Sequence, residues 1–472
     1  MDAANYRPIS LTCILAKIYE KFIRSHLLDY VSPHINYNQH GFLKGKSCLS
    51  NLLECIDRIN EMISNNDGVD IFYTDFQKAF DTVPHYRLIT KLQNLGVKGR
   101  LLDVILDFLS DRQFTVRVGD AHSKTHSIPS GIPQGSVLGP LLFLLYVNDL
   151  PEDILNHISL FADDLKMFAP SSTPDVNQRD LDALTVWQDM WLLSFNTNDE
   201  KCKVMHVGKN NPQCEYTLNG ITLPVVEHEK DLGVHVTNTL KWDDHIMKSI
   251  SKANQCIAWV SRSVISRSPD VMVNIYKTLI RPHLEYCVQL WSPCPRYGNW
   301  GLIMAIEGVQ RKYTRLIDGV GLLNYEERLK ELKLTTLLER RARGDLIETY
   351  RIISGIANYG TNLFTKSRSG LNLIVAPGGN NNSQHDFFAR RVVSYWNKLP
   401  SEVKNASSVE SFKARLENFK SNSIKKSMNN IINYWDLSQE IFNRINSSSR
   451  ESYESFMTEN PHIAKYKGIN VK

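Results

Sequence analysis

Three aspartates carry the chemistry legible in this chain. Asp75 closes the strand-like run Val69-Asp70-Ile71-Phe72-Tyr73-Thr74-Asp75 and is followed by Lys78-Ala79-Phe80-Asp81. Asp163 and Asp164 lie together in Ile158-Ser159-Leu160-Phe161-Ala162-Asp163-Asp164-Leu165, with apolar residues on both sides. A carboxylate buried among such neighbours without a partner loses several kcal/mol of solvation, and two adjacent ones also repel. A divalent cation removes both penalties, and a hard ion such as Mg²⁺ prefers carboxylate oxygens together with substrate phosphates. Phosphoryl transfer with two such ions about 4 Å apart needs carboxylates from separate elements meeting at one point. Asp75 and the Asp163-Asp164 pair are far enough apart in sequence to be that kind of set.

Each piece also has a plainer explanation. Asp-Asp is common at the tip of a hairpin turn, and Asp75 could equally cap the start of a helix. A third segment shifts the balance. Ser130-Gly131-Ile132-Pro133-Gln134-Gly135-Ser136 lies between the two acidic sites and leads into an apolar run. Gly131 and Gly135 lack Cβ atoms where a backbone or a flat base must come close. Pro133 stiffens the turn, and Gln134 offers a donor and an acceptor. By itself this segment is also readable as an ordinary Gly/Pro loop capped by Ser136.

The elements that must bring these segments together alternate between helix and strand. Residues 1–65 read as mainly helical, with apolar positions recurring over Ile14–Ile23 and Leu52–Ile63. The turn signal Asn65-Asn66-Asp67-Gly68 opens the strand ending at Asp75. A helix over Leu88–Leu95 stops at Gly96, and Phe114–Val118 alternates like a strand up to Gly119-Asp120. A long apolar helix is predicted over 137–150, and residues 158–169 read as two short strands joined at an acidic tip. The pattern predicts an α/β or α+β domain over residues 1–240. Residues 240–355 turn helical, with Pro282 and Pro293 as punctuation, and Gly370–Ser383 reads as a loop. Helices resume near 386–396 and 408–422, and the Asn- and Ser-rich tail after Ser423 has no assignable role.

Composition sets bounds. The chain has 472 residues, 42% hydrophobic and 22% charged, ordinary values for a globular protein of more than one domain. No apolar run reaches the roughly 18 residues needed to cross a bilayer, and the N-terminus lacks a secretory signal pattern. The eight cysteines form no Cys-x-x-Cys pair, which reads as reduced thiols of an intracellular protein. The net charge of +5 allows an anionic partner without requiring one. Residues 241–283 hold seven Lys/Arg against three Asp, which suits either a solvated face or a phosphate-contacting surface. Gly41-Phe42-Leu43-Lys44-Gly45-Lys46-Ser47 is one residue short of a phosphate-binding loop and is not read as one.

Tyr73–Asp81, Gly131–Ser136 and Phe161–Asp164 resemble motifs A, B and C of reverse transcriptases, in that order and at fitting spacing. The flavour is similar to non-LTR, LINE-type retrotransposons, especially jockey-like elements. Asn5–Leu11 and Gln39–Ser47 resemble the fingers motifs, Trp191–Asn196 with Lys201-Cys202 resembles motif D, and Asp231–Val234 resembles the motif E primer grip. Tyr276–Tyr286 and Tyr395–Pro400 are similar to segments downstream of the polymerase in these elements. The resemblance covers residues 5–420 or so.

The resemblance implies an α+β right-hand polymerase: partial fingers, a palm of antiparallel sheet plus helices, a helical thumb, then a helical C-terminal region. The implied divisions are fingers and palm over 1–240, helical thumb and connecting region over 241–369, a linker over 370–384, and a helical C-terminal region with a polar tail over 385–472. It also implies that Asp75, Asp163 and Asp164 hold two Mg²⁺ ions as the catalytic cluster. Phe80 occupies the steric-gate position, where a ring under the sugar rejects a 2′-hydroxyl; a core aromatic is the competing reading. Gln134 and Gly135 are expected at the incoming nucleotide or template base, Arg7 at the triphosphate, and Lys201 near the pyrophosphate. Lys241, Lys248, Lys252, Arg262 and Arg267 are expected to make sequence-independent phosphate contacts.

The expected partners are an RNA template, a DNA primer and dNTPs, with no membrane and no protein partner specified. If active, the protein is expected in the nucleus and not to be secreted. The match starts inside the fingers, which reads as N-terminal truncation and leaves open an inactive copy that retains nucleic-acid binding. A palm-type nucleotidyl cyclase is a rival, opposed by the Gly131–Ser136 loop and the helical region that follows. A protein-interaction scaffold leaves the acidic residues unexplained.

Overall fold

In a computed structural model of the chain, the run Val69–Asp75 forms β1, the strand around which the first part of the molecule is built. The structure describes residues 8–65, 67–197, 201–294, 299–368, 370–374 and 387–425. The chain divides into two units, Met1–His228 and Glu229–Lys472.

In the first unit, α1 (Ile14–Val31) and α2 (Cys48–Ser64) precede β1. Ser47 and Ser50 form a reciprocal capping box that fixes where α2 starts. α3 (Ala79–Thr82), α4 (His85–Asn94) and α5 (Arg100–Leu109) follow β1. A ribbon of short strands comes next: β2 (Gln113–Phe114), β3 (Arg117–Val118), β4 (Ala121–His122) and β5 (His126–Ser127), all exposed. The single strand expected at Phe114–Val118 is therefore broken in two. Between the halves, the Val116 N–H donates to Ser123 Oγ instead of a partner strand (2.9 Å).

The apolar helix expected over 137–150 is shorter, with α6 spanning Gly139–Tyr146. Leu150–Asp153 forms a 3₁₀ turn carrying Pro151, whose missing N–H cannot continue an α-helix. α6 is buried from Leu141 to Tyr146, which explains its lack of a polar face. β6 (His157–Phe161) and β7 (Asp164–Pro170) form the expected hairpin. α7 (Pro174–Trp191), β8 (Lys203–Val207), β9 (Thr217–Leu218) and β10 (Ile221–Thr222) complete the unit.

The main sheet has the order β6-β7-β1-β8 and is antiparallel throughout. β1 is paired on both edges and buried along most of its length, so its sequence shows little polar–apolar alternation. Its one buried charge, Asp70, accepts from Tyr216 Oη (2.6 Å) and Asn211 Nδ2 (2.7 Å) and faces His206 Nδ1 (2.7 Å). A core of side chains including Phe72, Leu142, Phe143, Leu160 and Met167 packs around this sheet.

The second unit opens with the hairpin β11 (His228–Asp231) and β12 (Val234–Thr237) and the helix α8 (Asp243–Ser263). α9 (Pro269–Ile275) runs through a π turn at Tyr276–Ile280 into α10 (Arg281–Glu285). Pro282 lies in the first turn of α10 and does not end the helical run; the wider π turn accommodates its missing donor. α11 (Val288–Trp291), α12 (Trp300–Thr314), α13 (Tyr325–Glu331) and α14 (Leu337–Ile353) follow. A two-stranded pair, β13 (Thr365–Lys366) and β14 (Leu373–Ile374), precedes α15 (Phe388–Arg391), α16 (Val393–Lys398), α17 (Ser401–Lys404) and α18 (Val409–Lys425). Most of the predicted 370–384 loop and the tail after Lys425 lie outside the described residues. No helix among the described residues is long and apolar enough to cross a membrane.

Candidate active site

Asp75 is the last residue of β1, and the β1–β7 register sets its Cα opposite that of Asp164. Directly opposed residues present their side chains on one face of a sheet. Asp163 lies beside them in the turn that closes Phe161 onto Asp164, with Ala162 before it at φ 56°. The two acidic segments therefore meet at one end of the sheet. Burial is less than the apolar context of the sequence implies: Asp75 is 33% exposed at its side chain, Asp163 is half-buried and Asp164 is exposed. Lys201 Nζ stands 3.9 Å from Asp75 Oδ2, and the Asn196 N–H donates to the Asp75 carbonyl (2.7 Å). Burial pushes the neighbouring Cys202 thiol up to about 11, so it remains a neutral thiol.

Among the described residues, no three His, Cys, Asp or Glu side chains are grouped closely enough to hold a metal ion by themselves. The donor set still fits a hard cation: carboxylates on adjacent strands at an accessible edge leave positions for water and phosphate oxygens.

The glycine loop packs against the segment after Asp75. The Gly131 N–H donates to the Val83 carbonyl (2.8 Å) and the Ile132 N–H to the Phe80 carbonyl (2.7 Å). Gly131 has φ +87°, and a Cβ there would come within 2.5 Å of the Asp81 carbonyl oxygen. Its own carbonyl faces His85 Nε2 (2.9 Å). Gln134 Nε2 donates to Asp81 Oδ1 (2.8 Å), so the side chain expected at the nucleotide is bonded to Asp81 here. A Cβ on Gly135, at φ +94°, would come within 2.8 Å of the Ser10 carbonyl oxygen, and the Ser10 N–H donates to the Gln134 carbonyl (2.7 Å). The close approach at Gly135 is thus made by the N-terminal segment of this chain. Phe80 is half-buried and stacks on Phe143 at 4.5 Å between ring centroids. Arg7 lies outside the described residues.

Two supports of this site went unread in the sequence. The backbone of residues 38–41 lies along the outer edge of β6, with the His40 N–H on the Leu160 carbonyl (2.8 Å) and the Leu160 N–H on the Asn38 carbonyl (3.0 Å). Buried Glu20, from α1, accepts from the Val137 (2.6 Å) and Leu138 (2.9 Å) N–H groups and so caps α6. Neither has a local signal, because each polar residue finds its partner more than a hundred positions away.

In the second unit, Lys248 and Lys252 line a cavity of about 310 Å³ with Lys230, His235, His245 and His283. Burial, then the cationic neighbours, lowers His235, and burial holds His245 down at about 4. Lys241 and Arg262 are exposed. Arg267 is half-buried and donates to the Ser261 carbonyl in the last turn of α8 (2.6 Å).

Residues 2–236 match the family described as reverse transcriptase (RNA-dependent DNA polymerase). The chain is similar to a probable RNA-directed DNA polymerase from transposon X-element of Drosophila melanogaster, 26% identical over 72% of this chain and 38% of that protein. It is similar also to the RNA-directed DNA polymerase from mobile element jockey of the same organism, 30% identical over 67% of this chain and 36% of that protein. The chain thus spans less than two-fifths of the length of these relatives. A telomerase structure from Candida albicans, with a fragment of telomeric RNA, aligns at 12% identity and TM-score 0.42, covering 86% of this chain and 58% of that one. By its match over residues 2–236, and with relatives among the non-LTR retrotransposons, the chain belongs to the reverse transcriptases.

Proposed function

We propose that this chain is the RNA-directed DNA polymerase of a non-LTR retrotransposon, extending a DNA primer on an RNA template from dNTPs. The observation that carries the reading is the register that sets Asp75 opposite Asp164, with Asp163 adjacent in the turn. Asp75, Asp163 and Asp164 would hold two Mg²⁺ ions, which when bound lower the barrier to attack by the primer 3′-hydroxyl and neutralise charge on the leaving pyrophosphate. Lys201, already beside Asp75, supplies a cation near that phosphate. Phe80 closes the sugar side of the nucleotide pocket, and Gln134, released from Asp81, reaches the nucleotide or template base. Arg7 binds the triphosphate.

Lys241, Lys248, Lys252 and Arg262 bind nucleic-acid phosphates without reading sequence, while Arg267, engaged with Ser261, contributes less. A preformed metal cage is not required, since Mg²⁺ commonly completes its shell with water and substrate phosphates. Primer extension on poly(rA)/oligo(dT) tests the reading. The wild type incorporates dTTP, and Asp163→Ala lowers the rate by about three orders of magnitude, the equivalent of several kcal/mol of lost charge stabilisation. Equal incorporation by both proteins, or none by either, rejects it and leaves at most nucleic-acid binding.

A further inference from the structure

The turn that carries Asp163 is held from outside its own hairpin. Gln39 is 2% exposed, and its single Oε1 accepts from two backbone donors: the Gly41 N–H (2.7 Å) and the Ala162 N–H (3.0 Å). Ala162 is the left-handed residue immediately before Asp163, so the second bond acts at the point where the chain turns. The approach is close on the other side as well. A Cβ on Gly41 would come within 2.6 Å of the Ala162 nitrogen, so only glycine lets the loop reach the turn.

The loop itself is anchored. Its backbone pairs with β6 at Leu160, and Asn51 Nδ2 donates to Ser159 Oγ (2.8 Å) and to the Leu160 carbonyl (3.2 Å). His40 Nδ1 faces Ser50 Oγ at 2.8 Å, which ties the loop to α2. Gln39 Nε2 has no hydrogen-bond partner among the described residues. Burying that nitrogen unpaired is unfavourable, so the side chain is a poor choice for packing alone.

We infer that Gln39 is a positioning residue for the metal-binding turn: its amide oxygen fixes the Ala162 N–H, and thereby the direction in which Asp163 presents its carboxylate. This rests on the polymerase reading above, because it takes Asp163 to be a metal ligand. Removing a group that orients a metal ligand typically costs about 10- to 100-fold in metal affinity. Losing the Oε1 bond therefore weakens metal binding while leaving the fold intact.

Gln39→Met tests this, because it keeps length and volume, removes the acceptor and deletes the unpaired nitrogen. Mn²⁺ serves as the probe ion, with its affinity read by electron paramagnetic resonance and Ala162 amide exchange read by deuterium uptake. Gln39→Met is expected to weaken Mn²⁺ about tenfold, speed exchange at Ala162 and leave the melting temperature within a few degrees of wild type. Gln39→Glu retains an acceptor oxygen in either protonation state and restores both readouts. Gly41→Ala, which pushes the loop away from the turn, reproduces the Met variant by an independent route.

Unchanged Mn²⁺ affinity and exchange in Gln39→Met overturn the inference, as does an equal loss in Gln39→Glu. If Gln39→Met fails to fold, wild-type behaviour in Gly41→Ala overturns it. A wild type that binds Mn²⁺ but fails to extend a primer counts against the polymerase reading and not against the positioning role.

Discussion

Phe80 has two tasks that a substitution can separate. Its ring stacks on Phe143, so it contributes to the core, and it is proposed to close the sugar side of the nucleotide pocket. Phe80→Ala is expected to raise incorporation of rNTPs relative to dNTPs by about 10- to 100-fold, the range a single apolar contact can discriminate. Competing dTTP and UTP on one primer–template measures this. A fall in melting temperature with unchanged sugar selectivity would leave Phe80 as a core aromatic only. At this scale the sequence was informative about identity and less so about environment. Asp75, Asp163 and Asp164 were legible because acidic residues interrupt apolar runs. Their exposure was not, because the runs flanking them pack on the sheet while the tip opens outward. Gln134 was legible as a polar residue between glycines, but its bond to Asp81 needs a fold to bring the partners together.

The elements divide the same way. The β6–β7 hairpin and β1 could be read from β-forming runs broken by turn signals, and their pairing sets Asp75 opposite Asp164. β8 and α7 went unread, although Thr173-Pro174-Asp175 is a helix-start signal. The length of α6 was overestimated because apolar periodicity continues past Tyr146 into a turn that Pro151 enforces. The glycine loop is the element whose sequence logic can be tested most simply. At Gly131 a methyl group meets both a left-handed backbone and the Asp81 carbonyl at 2.5 Å, neither of which can yield cheaply. Gly131→Ala is expected to destabilise the first unit by about 2 kcal/mol or more, measured by denaturant unfolding. A change within 0.5 kcal/mol or so, the range of neutral surface substitutions, would mean the loop does not depend on that contact.

Across the whole molecule, chemistry and charge fall in different places. The acidic residues of the candidate site all lie within Met1–His228, and the lysine-lined cavity lies within Glu229–Lys472. The modest net charge of +5 averages over the whole chain and does not reveal the local grouping of Lys230, Lys248 and Lys252 around this cavity. In the proposed polymerase, two stretches distant in sequence share a metal site. Iron(II), substituted for magnesium and supplied with hydrogen peroxide and ascorbate, reduces the peroxide to hydroxide and a hydroxyl radical that cuts the polypeptide beside the bound ion, and ascorbate returns iron(III) to iron(II). Mapping those cuts in the full chain should find them next to Asp75 and next to Asp163-Asp164 together, with both lost in Asp163→Ala. Cuts at only one of the two stretches, or cuts that survive the substitution, would contradict a shared site.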